Sequence, residues 1–263
     1  MKERVFIAIP SGEGKPDVDM FMSVQDNLMH LHQTGVGTER VVIHGNCYIA
    51  QVRSLLTHKF MQTDCSHLFF WDDDVAAPPS ALSRLLSYDR DIAVGPYPKK
   101  VPAHSPPEAG WPFILTDGIP DAFGLLECEK VATGFLLIKR KVIETLYEEH
   151  ADRVFHHDPF DADVVDIFPT GLVPGFPVGT HGKPMWWGED YAFSVLAKRA
   201  GFKMWLDPVI PLIHAGRNVW RGEFTRNSDA AWSYEAFGRG SPKKGSPFAS
   251  QPPHMPAAHR VAP

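Results

Sequence analysis

The stretch "HLFFWDDDV", residues 67–75, joins an apolar run directly to three consecutive aspartates. Its first five residues are mostly aromatic or aliphatic, which is typical of a buried strand. Buried charges without a partner are costly, so the three carboxylates indicate the end of that strand and the start of a polar region. Ligands of open α/β sheets bind beyond the carboxyl ends of the strands. The stretch therefore predicts a sheet strand and a polar site at its edge.

Strand-like and helical patterns alternate on both sides of this stretch. Strands are predicted at residues 4–10, 41–44, 67–71 and 91–98, and amphipathic helices at residues 17–33, 49–62 and 78–89. This alternation is typical of βαβ units. It predicts an α/β fold with a mostly parallel sheet that is flanked by helices.

The second half of the chain is less regular. Residues 98–122 and 151–187 are rich in Pro and Gly and predict two long loops, the second of which is functional or mobile. Strand-like runs and a short helix lie between the loops, and a helix over 188–202 and a last strand over 203–208 follow them. The final segment, 239–263, is rich in Pro, Ser and Ala without any period, so we expect disorder.

Composition limits the classes of function. The chain has 263 residues, 44% of them hydrophobic and 22% charged, with a net charge of −5 and three scattered cysteines. The net negative charge does not support binding to the phosphate backbone of nucleic acid. Two small basic segments nevertheless leave nucleic acid open as a partner. No window is apolar enough to predict a membrane span. Unpaired cysteines favour a reducing, cytoplasmic location.

The aspartates are the first candidate site. Alternate strand residues share a face, so we expect Asp72 and Asp74 to point the same way. Neighbouring carboxylates repel unless a cation joins them, and Mg²⁺ or Mn²⁺ prefers such oxygen ligands. The alternative is a polar strand end that leads into a loop.

A second acidic pair opens the helix in "WWGEDYAFSVLAKRAGF", residues 186–202. Glu189 and Asp190 in a first helical turn are explained by the helix dipole alone, or one of them acts as a general base. The dipole lowers a carboxyl pKa, whereas burial beside Trp186 and Trp187 raises it. These tryptophans either stack on a sugar ring or belong to the core. We expect the core.

Three further signals are weaker. His214 in "PLIHAG" is either a hydrogen-bonded structural residue or a third metal ligand. Lys99 and Lys100 follow a strand and are candidates for a phosphate contact. A separate metal site at residues 156–158, "HHD", is disfavoured because adjacent strand residues point apart.

Taken together, four blocks resemble glycosyltransferases of the GT-A fold. They are "VFIAIPS", "NCYIAQVRSLLTHKFMQTDCSHLFFWDDDV" with its DxD motif, "VATGFLLIKRKVIETL", and the G-E-D helix followed by "HAG". Their order matches that family over roughly residues 3–216. DxD alone is a weak signal, but its combination with the later G-E-D and H-x-G is specific.

The resemblance implies a role for each matching residue. Asp74 would bind the metal, Asp72 the metal, its waters or the ribose, and His214 would complete the ligands. Asp190 would be the base of an inverting reaction, and Glu189 would contact the acceptor or donor sugar. The implied nucleotide-sugar contacts are Pro10, Ser11, Arg53, Asp72, Asp73, Lys99, Gly134 and Trp187.

The implied activity is transfer of a sugar from a nucleotide-sugar donor, with a UDP-sugar as the default, to a glycan, protein or modified nucleic acid, with Mn²⁺ or Mg²⁺ as cofactor. Residues 1–238 would form one catalytic domain, with a nucleotide-binding half over 1–97 and an acceptor half over 98–238. The GT-A type of fold implies a smaller acceptor-side region beside the Rossmann-like sheet. Two alternatives stay open. One is a metal-dependent nucleotidyltransferase, which would use the Gly- and Lys-containing loop "PSGEGKPD"; the other is a non-catalytic sugar-nucleotide-binding module.

Overall fold

The computed structural model describes residues 3–101, 110–179, 181–216, 221–226 and 232–237, the last two ranges by their backbone only. The helices are α1 Val18–Gln33, α2 Ile49–Met61, α3 Ala81–Ser87, α4 Arg140–Glu149 and α5 Glu189–Arg199. The strands are β1 Arg4–Ser11, β2 Gly37–His44, β3 His67–Trp71, β4 Val75–Ala76, β5 Ile92–Val94, β6 Ile114–Pro120, β7 Leu126–Lys130, β8 Phe135–Lys139, β9 Val154–His157, β10 Ala162–Val165, β11 Gly171–Leu172, β12 Trp186–Trp187, β13 Met204–Leu206, β14 Ile213–His214, β15 Arg221–Arg226 and β16 Trp232–Phe237.

Eight strands form the central sheet in the order β2-β1-β3-β8-β5-β13-β7-β6. Strands β2, β1, β3, β5, β13 and β6 run in one direction, and β8 and β7 run against them. The predicted α/β class and mostly parallel sheet are therefore confirmed. The side-by-side parallel strands β2, β1 and β3, with α1 and α2, form a Rossmann-like half.

Strand β3 shows how the sequence produces this layered fold. All five of its residues are buried. Leu68 and Phe70 face a core that contains α2, α4 and α5, whereas Phe69 and Trp71 face a second core that contains α1 and α3. A strand covered on both faces needs an unbroken apolar run. The run in "HLFFW" thus places β3 at the centre of the sheet and its end at the sheet's edge.

The two predicted loops are partly wrong. The first range contains the edge strand β6, whose pairing with β7 is irregular, and residues 102–109 lie outside the described residues. The second range contains the antiparallel pairs β9–β10 and β11–β12. Short, irregular strands carry little period-2 signal, which explains the error.

The strand predicted as the last one, β13, is followed by β14, β15 and β16. Strand β14 pairs with β4, which brings the chain back to the end of β3. The expected tail at 239–263 lies outside the described residues. Within the described ranges, no helix combines the length and apolarity that a membrane crossing needs.

Candidate functional site

Strand β3 ends at Trp71, so the three aspartates lie in a turn. The expectation that Asp72 and Asp74 share a strand face is therefore wrong, because strand alternation stops before them. Instead the three carboxylates meet three different sets of partners: Asp72 binds an arginine, Asp73 a serine, and Asp74 a lysine and a histidine.

Arg53 joins the two acidic motifs. Its Nη2 lies 2.8 Å from Oδ1 of Asp72, and its Nε lies 3.4 Å from Oε1 of Glu189. The turn after β3 and the start of α5 therefore converge on one side chain of α2. All three residues are predicted site residues, but the sequence gives no indication of this link, because the two partners are far apart in the chain.

The guanidinium of Arg53 is buried. Its side chain is 3% exposed and lies 5.2 Å from the ring centroid of Phe70. Burial lowers the pKa of Arg53, but the charges of Asp72 and Glu189 outweigh that effect and raise it. The predicted contact with a nucleotide stays a prediction, since the hydrogen bonds of this guanidinium within the described ranges go to protein carboxylates.

Asp74 and His214 form a second pair at the same edge. Strand β14 pairs His214 with Val75, and the backbone N–H of Ala215 donates to the Asp74 carbonyl at 2.7 Å. The Nε2 atom of His214 lies 3.3 Å from Oδ1 of Asp74, and Lys100 binds the other carboxylate oxygen. Burial alone would raise the pKa of Asp74, but His214 and Lys100 lower it below its usual value.

The Asp74–His214 pair offers two of the ligands that a divalent cation needs. Nδ1 of His214 lies 2.7 Å from the Pro98 carbonyl, which only accepts, so Nδ1 carries the proton. In a neutral ring, Nε2 then presents its lone pair to a carboxylate oxygen, and two acceptors in contact need a proton or a metal between them. Across the described ranges, however, no cluster of three or more His, Cys, Asp or Glu is arranged to hold a metal.

Asp73 ties the turn to the end of β1. Ser11 donates to Asp73 Oδ2 at 2.5 Å, and the backbone N–H of Asp17 donates to the Asp73 carbonyl at 2.8 Å. Burial raises the pKa of Asp73, and Asp74 and Asp72 add to the rise while Ser11 opposes it. Pro10, like Ser11, is buried in β1, so the predicted strand-end contacts lie beside the aspartates.

Gly134 lies so close to Asp72 and Tyr97 that no room is left for a side chain. A Cβ at Gly134 would lie 2.6 Å from Asp72 Oδ2 and 2.6 Å from the Tyr97 hydroxyl. The Gly134 N–H donates to that hydroxyl at 3.0 Å, and the Tyr97 ring meets His214 edge to face at 5.1 Å. Sequence reasoning missed Tyr97; its position directly after β5, in "GPYP", was the available signal.

Asp190 lies in the first turn of α5, next to Glu189. Burial and the charge of Glu189 raise the pKa of Asp190 to about 6, although the Tyr191 N–H and Arg53 oppose the rise. Burial therefore outweighs the helix dipole. A carboxyl with this pKa is a suitable general base near neutral pH.

The two tryptophans differ. Trp187 is 4% exposed, packs on Phe176 and has Lys130 Nζ 4.5 Å from its ring centroid, so the preference for core is right for this residue. Its predicted contact with the sugar nucleotide stays a prediction. Trp186 is 78% exposed, which contradicts the core prediction for it.

The weaker candidates were the two lysines after β5 and the adjacent histidines of β9. Lys100 rather than Lys99 binds an aspartate, while the Lys99 N–H donates to the Gly110 carbonyl. His156 faces Asp163 at 2.9 Å and His157 lies against the Phe160 ring, so the adjacent histidines do point apart.

A cavity of about 470 Å³ opens over the aspartate turn. It is lined by Gly12, Glu13, Lys15, Asp17, Asp73, Asp74, Lys100, Ala215 and Gly216. Two lysines and four carboxylates thus border one opening, so an anion bound there would need a metal ion beside it.

No protein-family model matches the chain, and no curated protein matches it. Among solved structures, the chain is similar to a crystal structure described as a glycosyltransferase involved in the glycosylation of the major capsid of PBCV-1. The TM-score is 0.31 at 10% identity, over 53% of this chain and 61% of that one. The chain thus spans less than two thirds of that protein, and the functional conclusion has to come from the site itself.

Proposed function

We propose that this chain is a metal-dependent glycosyltransferase of the GT-A type. It would move a sugar from a nucleotide-sugar donor, with a UDP-sugar first in line, to an acceptor hydroxyl. The observation that carries the proposal is the convergence of Asp72 and Glu189 on Arg53, at 2.8 and 3.4 Å. It brings the aspartate turn close to the start of α5, where Asp190 follows Glu189.

Asp74 and His214 would hold Mn²⁺ or Mg²⁺, and Asp72 would act on the waters of that ion or on the ribose. A divalent ion held by these residues would supply Lewis acidity to a diphosphate. Lys100, which binds Asp74, would contribute a second positive charge at the leaving group. Ser11 and Pro10, at the end of β1, would border the nucleoside.

Asp190 would accept the proton of the acceptor hydroxyl. The acceptor oxygen then bonds to the anomeric carbon, the bond from that carbon to the phosphate oxygen breaks, and the nucleoside diphosphate leaves with the bonding electrons. A single displacement with one base inverts the anomeric centre. Glu189, fixed by Arg53, would orient a hydroxyl of the acceptor or donor beside the base.

The test is release of UDP from a panel of UDP-sugars, with Mn²⁺ and a mixed pool of glycan acceptors. Wild type should release UDP and form a glycoside, and Asp190→Asn should bind donor but release no UDP. Nucleotide binding without turnover for any donor and acceptor would reject the enzyme and favour the binding module. Retention at the anomeric carbon would reject the single displacement.

Nucleotidyl transfer is the second candidate, because Lys15 and Lys100 line the same cavity as Asp73 and Asp74. Two lysines beside carboxylates also suit a triphosphate. Pyrophosphate released from UTP and a sugar 1-phosphate, together with failure of the UDP-sugar assay, would support this reaction instead.

A further inference from the structure

We propose that Arg53 is a positioning residue, whose buried guanidinium joins the aspartate turn to the start of α5 and supplies positive charge to that site. The role of Asp190 as a base rests on the proposed function. The contacts of Arg53 that support this inference are independent of the proposed function.

The geometry is that of a fork between two carboxylates. Nη2 reaches Asp72 and Nε reaches Glu189, so one planar group binds two elements that follow different strands. A guanidinium has rigid, divergent donors and keeps its charge when buried, whereas a lysine ammonium is a single point. Arg53 itself stands on α2, a third element, and so fixes the distance between the other two.

The charge of Arg53 is buried and is compensated by the carboxylates of the site. The neighbours of Arg53 on α2, Val52 and Ser54, are buried with it. A buried charge is retained only where partners compensate its desolvation. Within the described part of the chain, Nη1 is also buried and has no hydrogen-bond partner. The guanidinium can therefore donate a further hydrogen bond through Nη1, besides those to Asp72 and Glu189, to another oxygen atom of the site.

The charge also acts on Asp190. Among the described residues, Glu189 on α5 and Arg53 from α2 act on this carboxyl, which in turn acts on Tyr191 and on Tyr97 after β5. One contact further out, Asp72 acts on Arg53 and Tyr97, and Lys130 Nζ lies 5.0 Å from the Tyr191 ring centroid. Arg53 lowers the pKa of Asp190 against burial and Glu189. Without Arg53, the base would titrate at a higher pH.

The test is titration of Asp190 in the free protein, by carbon NMR of labelled aspartate carboxyls assigned with Asp190→Asn. Arg53→Met should raise the Asp190 pKa, because it removes the positive charge that lowers it. Arg53→Lys, which keeps the charge, should restore most of the wild-type value. The control, Lys59→Met, removes a charge from the same helix at a side chain whose Nζ lies 4.5 Å from the Phe160 ring centroid, and it should leave the Asp190 pKa unchanged.

An unchanged Asp190 pKa in folded Arg53→Met would overturn the inference. Arg53→Gln is the second neutral variant, since it keeps hydrogen-bond donors and buries less apolar bulk. If both neutral variants fail to fold while Arg53→Lys folds, the requirement for positive charge is supported. If all three fail to fold, or if Arg53→Lys titrates like a folded neutral variant, the positioning role is rejected.

A transfer assay separates this inference from the proposed function. In Arg53→Met, the acid limb of the kcat/KM profile should move up by the same amount as the NMR pKa. If Arg53→Met shows the shift in the Asp190 pKa but wild type transfers no sugar, the proposed function is rejected and the role of Arg53 stands. A merely structural Arg53 would lower thermal stability without moving either profile.

Discussion

The imidazole of His214 faces the carboxylate of Asp74 with its Nε2 3.3 Å from Oδ1, while its Nδ1 donates to the Pro98 carbonyl at 2.7 Å. The carbonyl fixes the ring, and the ring fixes which nitrogen meets the aspartate. The pairing of β14 with β4 brings these residues together across about half of the chain. This relationship is the strongest structural reason to place a divalent ion at the end of β3.

If His214 is a metal ligand as proposed, His214→Ala should weaken Mn²⁺ binding by about tenfold or more, since it would remove an oriented nitrogen. The measurement is titration of free Mn²⁺ by electron paramagnetic resonance. His30→Ala, near the C-terminal end of α1, is the control and should bind like wild type. Equal Mn²⁺ affinity in His214→Ala and wild type would remove His214 from the metal site.

The pH dependence of transfer should report Asp190. A base works only when ionised, and the pKa of Asp190 is raised to about 6. We therefore expect kcat/KM to be level above that pH and to fall about tenfold per unit below it. Mn²⁺ must be kept saturating at each pH, so that loss of metal at low pH does not imitate the effect. A limb centred near pH 4 would show an unperturbed carboxyl instead.

Gly134→Ala should destabilise the protein by about 1–3 kcal/mol, because the new methyl would lie 2.6 Å from both Asp72 Oδ2 and the Tyr97 hydroxyl. Gly12→Ala is the matched control, since nothing lies within 4 Å of a Cβ there. Urea unfolding of both variants measures the difference. Equal stabilities would mean that the Asp72–Tyr97 contact yields without cost.

The adjacent tryptophans should behave oppositely. Trp187→Ala should cost about 3–5 kcal/mol, because it empties a packed site beside Phe176. Trp186→Ala should stay within about 0.5 kcal/mol, because that ring is largely exposed. The two free energies of unfolding, taken from the same denaturant series, check the assignment. A large loss at Trp186 would contradict it.

Local pattern predicted the elements whose signal is strong. The apolar run before Asp72 indicated the central strand, and the spacing of Val52, Leu56 and Phe60 indicated helix α2, all three of which are buried. The positions of the acidic motifs after β3 and at the start of α5 were also readable, because strand ends and helix starts have characteristic residues.

Long-range pairing was not readable. Strand β8 runs antiparallel between β3 and β5, and nothing in "FLLIK" records direction. The bridge from Arg53 to Glu189 and the approach of Tyr97 to Gly134 likewise depend on how the sheet is ordered. Such contacts follow from tertiary packing, which single-sequence periodicity does not encode.

The central claim is a metal-dependent nucleotide site at the end of β3. Calorimetric titration of UDP and GDP, each with and without Mn²⁺, against wild type and Asp74→Asn tests it most directly. We predict UDP binding that requires both Mn²⁺ and the Asp74 carboxylate. Absence of binding by either nucleotide, or equal UDP binding by Asp74→Asn, would contradict the claim.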